Sequence, residues 1–344
     1  MILVLNCGSQ SIKWKLLSKK LKLVKENKIK IFDAKKYQQV LEKELKNLSN
    51  ENIDLIGHRV VFGGEKFGKP TRITPKTVKE LEKFNKIVPS HNPFNLLGIK
   101  KSLELFGTAN QFAVFDTEFY SSLPACAYTY SLPSAITKKF GYRKFGFHGI
   151  SHEYVAKKAA EKIGKPFDNL RIITCHLGGG ASVTAIKNGK AIDTSMGFGP
   201  TEGLIMMTRS GDVDNEIILE MAKKYGTEKT RKIINFESGF KGICGLDDML
   251  LVLDKIKRGD KNTKLALDIF TYQIKKYIGA YFAILGGCDI LVFTGSIGSG
   301  NPKTRNAVCK GLDIFKKTKV IAIETDEELA IAEKITKKLK ELLP

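Results

Sequence analysis

The stretch "RIITCHLGGGASVTAIKNGKAID", residues 171–193, reads as an apolar strand, a small polar turn carrying Gly178, Gly179 and Gly180, and a second strand. The chain opens on the same layout. In "MILVLNCGSQSIKWKLL", residues 1–17, the run Ile2 to Leu5 gives way to Asn6, Gly8, Ser9, Gln10 and Ser11, and then Ile12, Trp14 and Leu16 alternate with Lys13 and Lys15. The polar hexapeptide is expected to form the hairpin turn. Such a turn aims backbone N–H groups, hydroxyls and a lysine at an anion, although taken singly each stretch is equally an ordinary surface hairpin. Two of them facing each other would clasp opposite ends of a polyphosphate. A duplicated α/β domain is the architecture this echo implies.

A chain of 344 residues suits two cores. Six cysteines stand without CxxC or zinc-type spacing, so neither a disulfide framework nor a structural metal site is expected, and the compartment is read as reducing and cytoplasmic. No basic segment leads into an apolar signal run, and the most apolar stretch, 278–297, is broken by Gly286, Gly287 and Asp289, so no membrane partner is expected. The net charge of +21 raises a nucleic-acid reading. Its distribution argues against one, because only eight of the 57 basic residues are arginines and the lysines line polar helix faces, as in "KTVKELEKFNKI".

Strand-like and helix-like runs alternate throughout, which is the α/β pattern. Strands are expected at Ile2–Leu5, Ile53–Val61, Ala113–Phe115, Leu170–His176, Ala181–Lys187, Leu291–Thr294 and Val320–Glu324. Helices are expected at Lys35–Leu48, Pro75–Lys86, Ser151–Ile163, Asn215–Tyr225, Asn262–Leu285 and Asp326–Leu343. Chemistry gathers at the strand ends, where an open α/β sheet holds its ligands. Arg59 follows His58 in "GHRVVFGGEKF", Asp116 follows "FAVF", His148 sits in "FGFHGISH", and Arg209 lies in "MMTRSGDVD". Two arginines, a histidine, an aspartate and glycine turns together describe a site for a phosphate-bearing anion. His58, His91 and His152 read as structural or supporting groups.

Taken in order, "LNCGSQSIKWKLL", "GHRVVFGGEKF", "HNPFNLLGI", "VFDTEFYSSLP", "FGFHGISHEYV", "HLGGGASVTAIKNGKAIDTSMGFGPTEGLIMMTRSGDVD", "VFTGSIGSGN" and "ETDEELAIA" resemble the acetate kinase family over nearly the whole chain. The resemblance implies a duplicated actin-like (ribonuclease H-like) fold with a nucleotide cleft. It would divide the chain into 1–119 with the C-terminal helix 327–344, and 120–326. It implies Mg²⁺-dependent, reversible phosphoryl transfer from ATP to acetate, giving acetyl phosphate and ADP, with Mn²⁺ as an alternative metal and a homodimer as the usual assembly. A propionate kinase, or a nucleotide-binding relative without transfer, are the alternatives.

Carried over by position, the resemblance gives Asp116, His148 and Arg209 catalytic roles. It sets Arg59 against the substrate carboxylate, with Val61, Phe147 and Pro200 around the acyl group. Lys13, His176, Leu177, Gly178, Gly179 and Gly180 would meet phosphate, and Asp248, Met249, Ser296, Ile297, Gly298, Ser299 and Gly300 the rest of the nucleotide. Asn6 and Glu327 would serve the metal. Glu327 has a bland reading too, since "TDEE" is a capping box with Thr325 as N-cap and Glu328 three residues on. The chain departs from the pattern at Phe62, Ser90, Gly179, Thr201, Leu250 and the loop "TGSIGSGN". These changes fall on the adenine side and the acyl pocket.

Overall fold

The computed structural model describes residues 1–342 except Gln10, Phe32, Ser90, Asp313 and Phe315. The chain divides into two compact units. The first comprises Met1–Ser121, His148–Ser151 and the chain from Asp326 on; the second comprises Ser122–Phe147 and His152–Thr325.

In the first unit, β1 (Ile2–Gly8), β2 (Ser11–Leu17) and β3 (Leu23–Lys30) form an antiparallel meander. β4 (Leu55–Val60) and β6 (Asn110–Phe115) extend the sheet in parallel from β1, and the two-residue β5 (Thr71–Arg72) closes it, giving the order β3-β2-β1-β4-β6-β5. In the second unit, β7 (Arg171–Leu177), β8 (Ala181–Lys187) and β9 (Lys190–Thr194) repeat the meander, while β10 (Ile290–Thr294) and β11 (Lys319–Ala322) repeat the parallel pair. Its order is β11-β10-β7-β8-β9. The shared plan, three antiparallel strands followed by two parallel ones, is the duplication expected from the two hairpins. Hairpins join the antiparallel strands, and helices make the longer crossings that parallel neighbours require.

The predicted helices form with small shifts at their ends. Asn215–Tyr225 has Asp214 as its N-cap, the side chain accepting from the Glu216 N–H, and stops at Gly226. Lys261–Leu285 buries Ala266, Phe270, Ile274, Ile278 and Leu285, a stripe of helical period laid against β7 and β8. The first unit packs Leu3, Leu5, Ile12, Trp14 and Leu16 against Tyr37, Leu41 and Leu45 of the helix Tyr37–Lys46.

Some elements have weak signals in the sequence. β3 is almost wholly exposed and lysine-rich, so it shows no apolar alternation; its residence at the sheet edge explains both features. β9 is a short edge strand with a register shift against β8. The helix Asn92–Leu105 buries Asn92, Asn95, Gly98 and Ser102 together with Leu96 and Ile99, which erases the amphipathic pattern.

Candidate active site

β1, β4 and β6 are parallel neighbours, and each delivers a polar side chain at its C-terminal end. Asn6 lies inside β1, paired across to Lys13, with β1 running to Gly8 and β2 starting at Ser11; the expected hexapeptide turn from Asn6 to Ser11 is corrected accordingly. The backbone pairing carries Asn6 into the sheet, where its side chain is buried. Arg59, from β4, donates through Nε to Asp116 Oδ1 at 3.0 Å and through Nη2 to Asp116 Oδ2 at 2.6 Å, a two-point fork. Its Nη1 reaches Asn6 Oδ1 at 3.3 Å and Glu327 Oε2 at 3.4 Å. Burial alone would lower the Arg59 pKa, but the carboxylates of Asp116 and Glu327 carry it upward, so the guanidinium stays charged. Burial pushes the Asp116 carboxyl up and the fork opposes it; bonds this short hold the pair in its ionised form.

The helix Glu327–Leu342 brings Glu327 and Glu328 to the same place, buried, with Asn6 Nδ2 donating to Glu328 Oε1 at 2.8 Å. Its N-cap is Asp326, whose Oδ1 accepts from the Leu329 N–H at 2.9 Å while Oδ2 receives Lys15 Nζ at 2.6 Å. The capping reading of Thr325 is thereby corrected, because the cap lies one residue later, and Glu327 and Glu328 meet Arg59 and Asn6 instead of solvent.

His148 has a φ of 59°, which few side chains other than glycine adopt. Asp116 holds it there: the His148 N–H donates to the Asp116 carboxylate, and the Gly149 N–H donates to the Asp116 carbonyl at 2.9 Å. A Cβ on Gly149 would stand 2.3 Å from that carbonyl oxygen, so only glycine permits the approach. Two supporting residues escape a reading of the sequence. Asn95 accepts from the Val61 N–H at 3.0 Å and donates to the Cys7 carbonyl at 2.7 Å, tying the end of β1 to the end of β4, and Asn92 brackets the Phe62 backbone. The signal was the run "HNPFN", whose asparagines lie on a buried helix face.

In the second unit His176 and Leu177 end β7, and Gly178–Gly180 make the turn into β8. An added Cβ at Gly179 would meet nothing within 4 Å, so space lies open at the turn. The Gly179 carbonyl accepts from the Met207 N–H at 3.3 Å, which attaches the Arg209 loop to the glycine turn. That loop is pinned again by the Ser238, Phe240 and Lys241 N–H groups, which donate to Thr208, Met206 and Met207 carbonyls. Gly239, at φ 67°, makes the crossing possible, since its Cβ would stand 2.1 Å from the Met206 oxygen. The Arg209 Nη1 donates to the Pro200 carbonyl at 3.1 Å and touches Met206 Sδ at 3.6 Å. Among the described residues no carboxylate pairs with it, and burial pushes its pKa down to about 10.

Ser296–Gly300 follows β10, and Ser296 Oγ would lie 3.6 Å from a Cβ on Gly178, so this segment and the glycine turn are neighbours. Arg305 Nη1 donates to the Gly298 and Ser299 carbonyls at 2.9 and 2.7 Å and holds the segment's shape. Asp248 caps the helix Met249–Lys257, accepting from the Leu250 and Leu251 N–H groups. Met249 is buried beneath it, while Leu250 is 75 % exposed. Val61 and Phe147 are both buried. Ser90 lies outside the described residues.

The structural reading of His58 and His152 agrees with their surroundings. His58 Nε2 meets Gln111 Oε1 at 2.9 Å and Ser102 Oγ at 3.2 Å, fully enclosed. His152 spans Thr174 and Ser182 hydroxyls at 2.6 and 2.8 Å.

The chain is similar to known proteins. A model of the acetokinase family matches residues 24–339. The chain belongs to the acetokinase family. The acetate kinase of Carboxydothermus hydrogenoformans is 40% identical over 388 aligned positions, spanning 96% of this chain and 97% of that protein. The crystal structure of Porphyromonas gingivalis acetate kinase superposes with a TM-score of 0.87 at 36% identity, over 97% of this chain and 98% of that one. A propionate kinase from Francisella tularensis gives a TM-score of 0.89 at 33% identity, over 97% and 98%. The acetokinase fold is of the actin-like ATPase type, in keeping with the two sheets of equivalent strand order.

Proposed function

We propose that the chain is an acetate kinase, transferring the γ-phosphoryl group of ATP reversibly to acetate to give acetyl phosphate and ADP. One observation carries this reading beyond family membership. Arg209 is a desolvated guanidinium whose polar partners among the described residues are a neutral carbonyl and a thioether, so it retains its charge for an anion. Transfer between a carboxylate and a phosphate needs positioning and neutralisation of charge on the phosphoryl oxygens more than it needs a base. Acetate is ionised at pH 7 and attacks phosphorus directly, with ADP leaving and no proton to move.

The residue roles are those the family resemblance implies. Arg59 has Nε and Nη2 committed to Asp116 at short distances, while Nη1 makes only the longer contacts to Asn6 and Glu327, so a substrate carboxylate would compete for Nη1. Asp116 is then the group that orients Arg59 and the His148 backbone, a use for a buried ionised carboxylate that involves no proton transfer. His148 and Arg209 are assigned to the migrating phosphoryl group, and Val61, Phe147 and Pro200 to the methyl group. Lys13 and the turn His176–Gly180 are assigned to the ATP phosphates, and Ser296–Gly300, Asp248 and Met249 to the nucleoside.

Asn6 Oδ1 and the Glu327 carboxylate are hard oxygen donors of the kind Mg²⁺ or Mn²⁺ accepts. Asn6 and Glu327 would hold such an ion together with substrate. When bound, it would supply charge neutralisation at the phosphate oxygens. Cytoplasmic localisation fits an ATP-dependent reaction and six free cysteines, and no described helix is long and apolar enough to cross a membrane. A homodimer is the assembly we infer from the family pattern. The deciding assay combines purified protein, Mg²⁺, ATP and acetate, and traps acetyl phosphate with hydroxylamine. Acetate-dependent hydroxamate is expected; none at saturating substrates overturns the assignment.

A further inference from the structure

We propose that Tyr130 is a positioning residue for Arg209, acting through the turn Phe198–Glu202. Its hydroxyl accepts the Phe198 N–H at 2.9 Å and donates to the Glu202 carboxylate, so one phenol holds both ends of a five-residue segment. At the centre of that segment is the Pro200 carbonyl, the oxygen to which Arg209 Nη1 donates at 3.1 Å. The residue after it is tied from another side: Thr201 Oγ1 bonds Asn235 Oδ1 at 3.1 Å, and the Asn235 carbonyl accepts the Thr208 hydroxyl at 3.1 Å beside Arg209.

Gly199, inside the segment, has open space around it, and an added Cβ would meet nothing within 4 Å. Packing therefore does not hold this turn at Gly199; its ends are held by the Tyr130 hydrogen bonds and, at Phe198, by ring contacts with Tyr142 and Phe145. At Gly197, one residue before the segment, a Cβ would stand 2.1 Å from the Tyr130 oxygen, which shows how closely the phenol is seated. Tyr130 also lines an open cavity of about 700 Å³ with Tyr142, Phe198, Glu202 and Asp212. Loss of its hydroxyl exposes the Phe198 N–H and the Glu202 carboxylate to water, and the Pro200 carbonyl loses its fixed direction. A guanidinium whose polar protein contacts are that oxygen and one sulfur then samples more orientations, and a charge that is not preorganised stabilises a transition state less.

The inference rests on the assignment of Arg209 to the phosphoryl group, and the test separates the two. Tyr130→Phe, Arg209→Ala and the double variant are compared with wild type in acetate-dependent turnover, in KM for MgATP, and in thermal melting. Tyr130→Phe is expected to lower kcat about tenfold, the scale of one well-placed hydrogen bond, with KM for MgATP and the melting temperature little changed. In the Arg209→Ala background the same substitution should cost less than about twofold, because the group it positions is absent. Equal costs in both backgrounds, or a wild-type kcat in Tyr130→Phe, overturn the proposal. Full activity in Arg209→Ala strikes instead at the role of Arg209. Calorimetric binding of inorganic phosphate adds a readout independent of turnover. The part of the affinity that Arg209→Ala removes should also fall in Tyr130→Phe, and an unchanged affinity there counts against the clamp.

Discussion

Arg59 and Arg209 are both cations at strand or loop ends, yet the protein treats them oppositely. Arg59 is neutralised by a carboxylate fork and a second carboxylate, whereas Arg209 meets a carbonyl and a sulfur. Removing the cation without a protein counter-charge strands no buried carboxylate and should leave the fold intact. Arg209→Ala is therefore expected to reduce kcat by about two to three orders of magnitude with KM for MgATP nearly unchanged. Steady-state kinetics checks this, and a variant with more than about a third of wild-type turnover removes Arg209 from the mechanism. His58 gives a second expectation at this scale. Burial lowers its pKa from 6.5 to about 4, so between those values the unfolded chain binds the proton more readily than the folded one. Stability is thus present above pH 6.5 and drains as pH falls toward 4. From pH 7 to 4.5 the contribution lost is about 2 to 3 kcal/mol. Urea unfolding of wild type and His58→Gln at both pH values isolates it, and parallel losses in the two proteins would assign the effect elsewhere.

Among the elements, the start of the helix Met249–Lys257 bears on nucleotide choice. Leu250, 75 % exposed in the first turn, offers neither donors nor a guanidinium plane to a base or ribose. The adjoining Asp248 has one carboxylate oxygen engaged in capping, its Oδ1 accepting two backbone N–H groups at 2.7 and 3.3 Å. Purine discrimination is therefore expected to be loose, with GTP supporting a substantial fraction of the ATP rate. Rates with ATP, GTP and ITP at saturation check it; strict dependence on ATP would show that neighbouring segments read the base. The same helix was invisible to pattern reading for a related reason: its exposed face carries leucines, and apolar residues on both sides blur the helical period.

For the whole molecule, charge is the dominant constraint on assembly. Each chain carries +21, so two copies repel at long range, and apolar contacts must overcome that repulsion. The homodimer inferred from the family should accordingly strengthen with salt. Sedimentation velocity at about 0.02 M and about 0.2 M salt is expected to show a larger dimer fraction in the second, where the screening length is shorter. A monomer at both overturns the dimer assignment. Exposed apolar side chains such as Leu132 and Phe140, at 53 % and 55 %, supply the kind of surface such contacts use.

The duplicated plan was legible because it lives in local order: strand, glycine turn and alternating strand occur twice, and hydrophobic period reports burial directly. Arg59, Asp116, His148 and Arg209 stood out because charged groups at the ends of apolar runs have few structural uses. What the linear chain could not show is how these groups are held. Asn95 bridges Cys7 to Val61, Asp116 fixes the backbone of a histidine at positive φ, Asp326 and not Thr325 caps the last helix, and Tyr130 bonds residues 68 and 72 positions away. Each is a hydrogen bond between groups remote in sequence or a choice between adjacent polar residues. Residue identity and spacing leave both undetermined, because the free energy of such a bond depends on distance, angle and burial that exist only once the strands have packed.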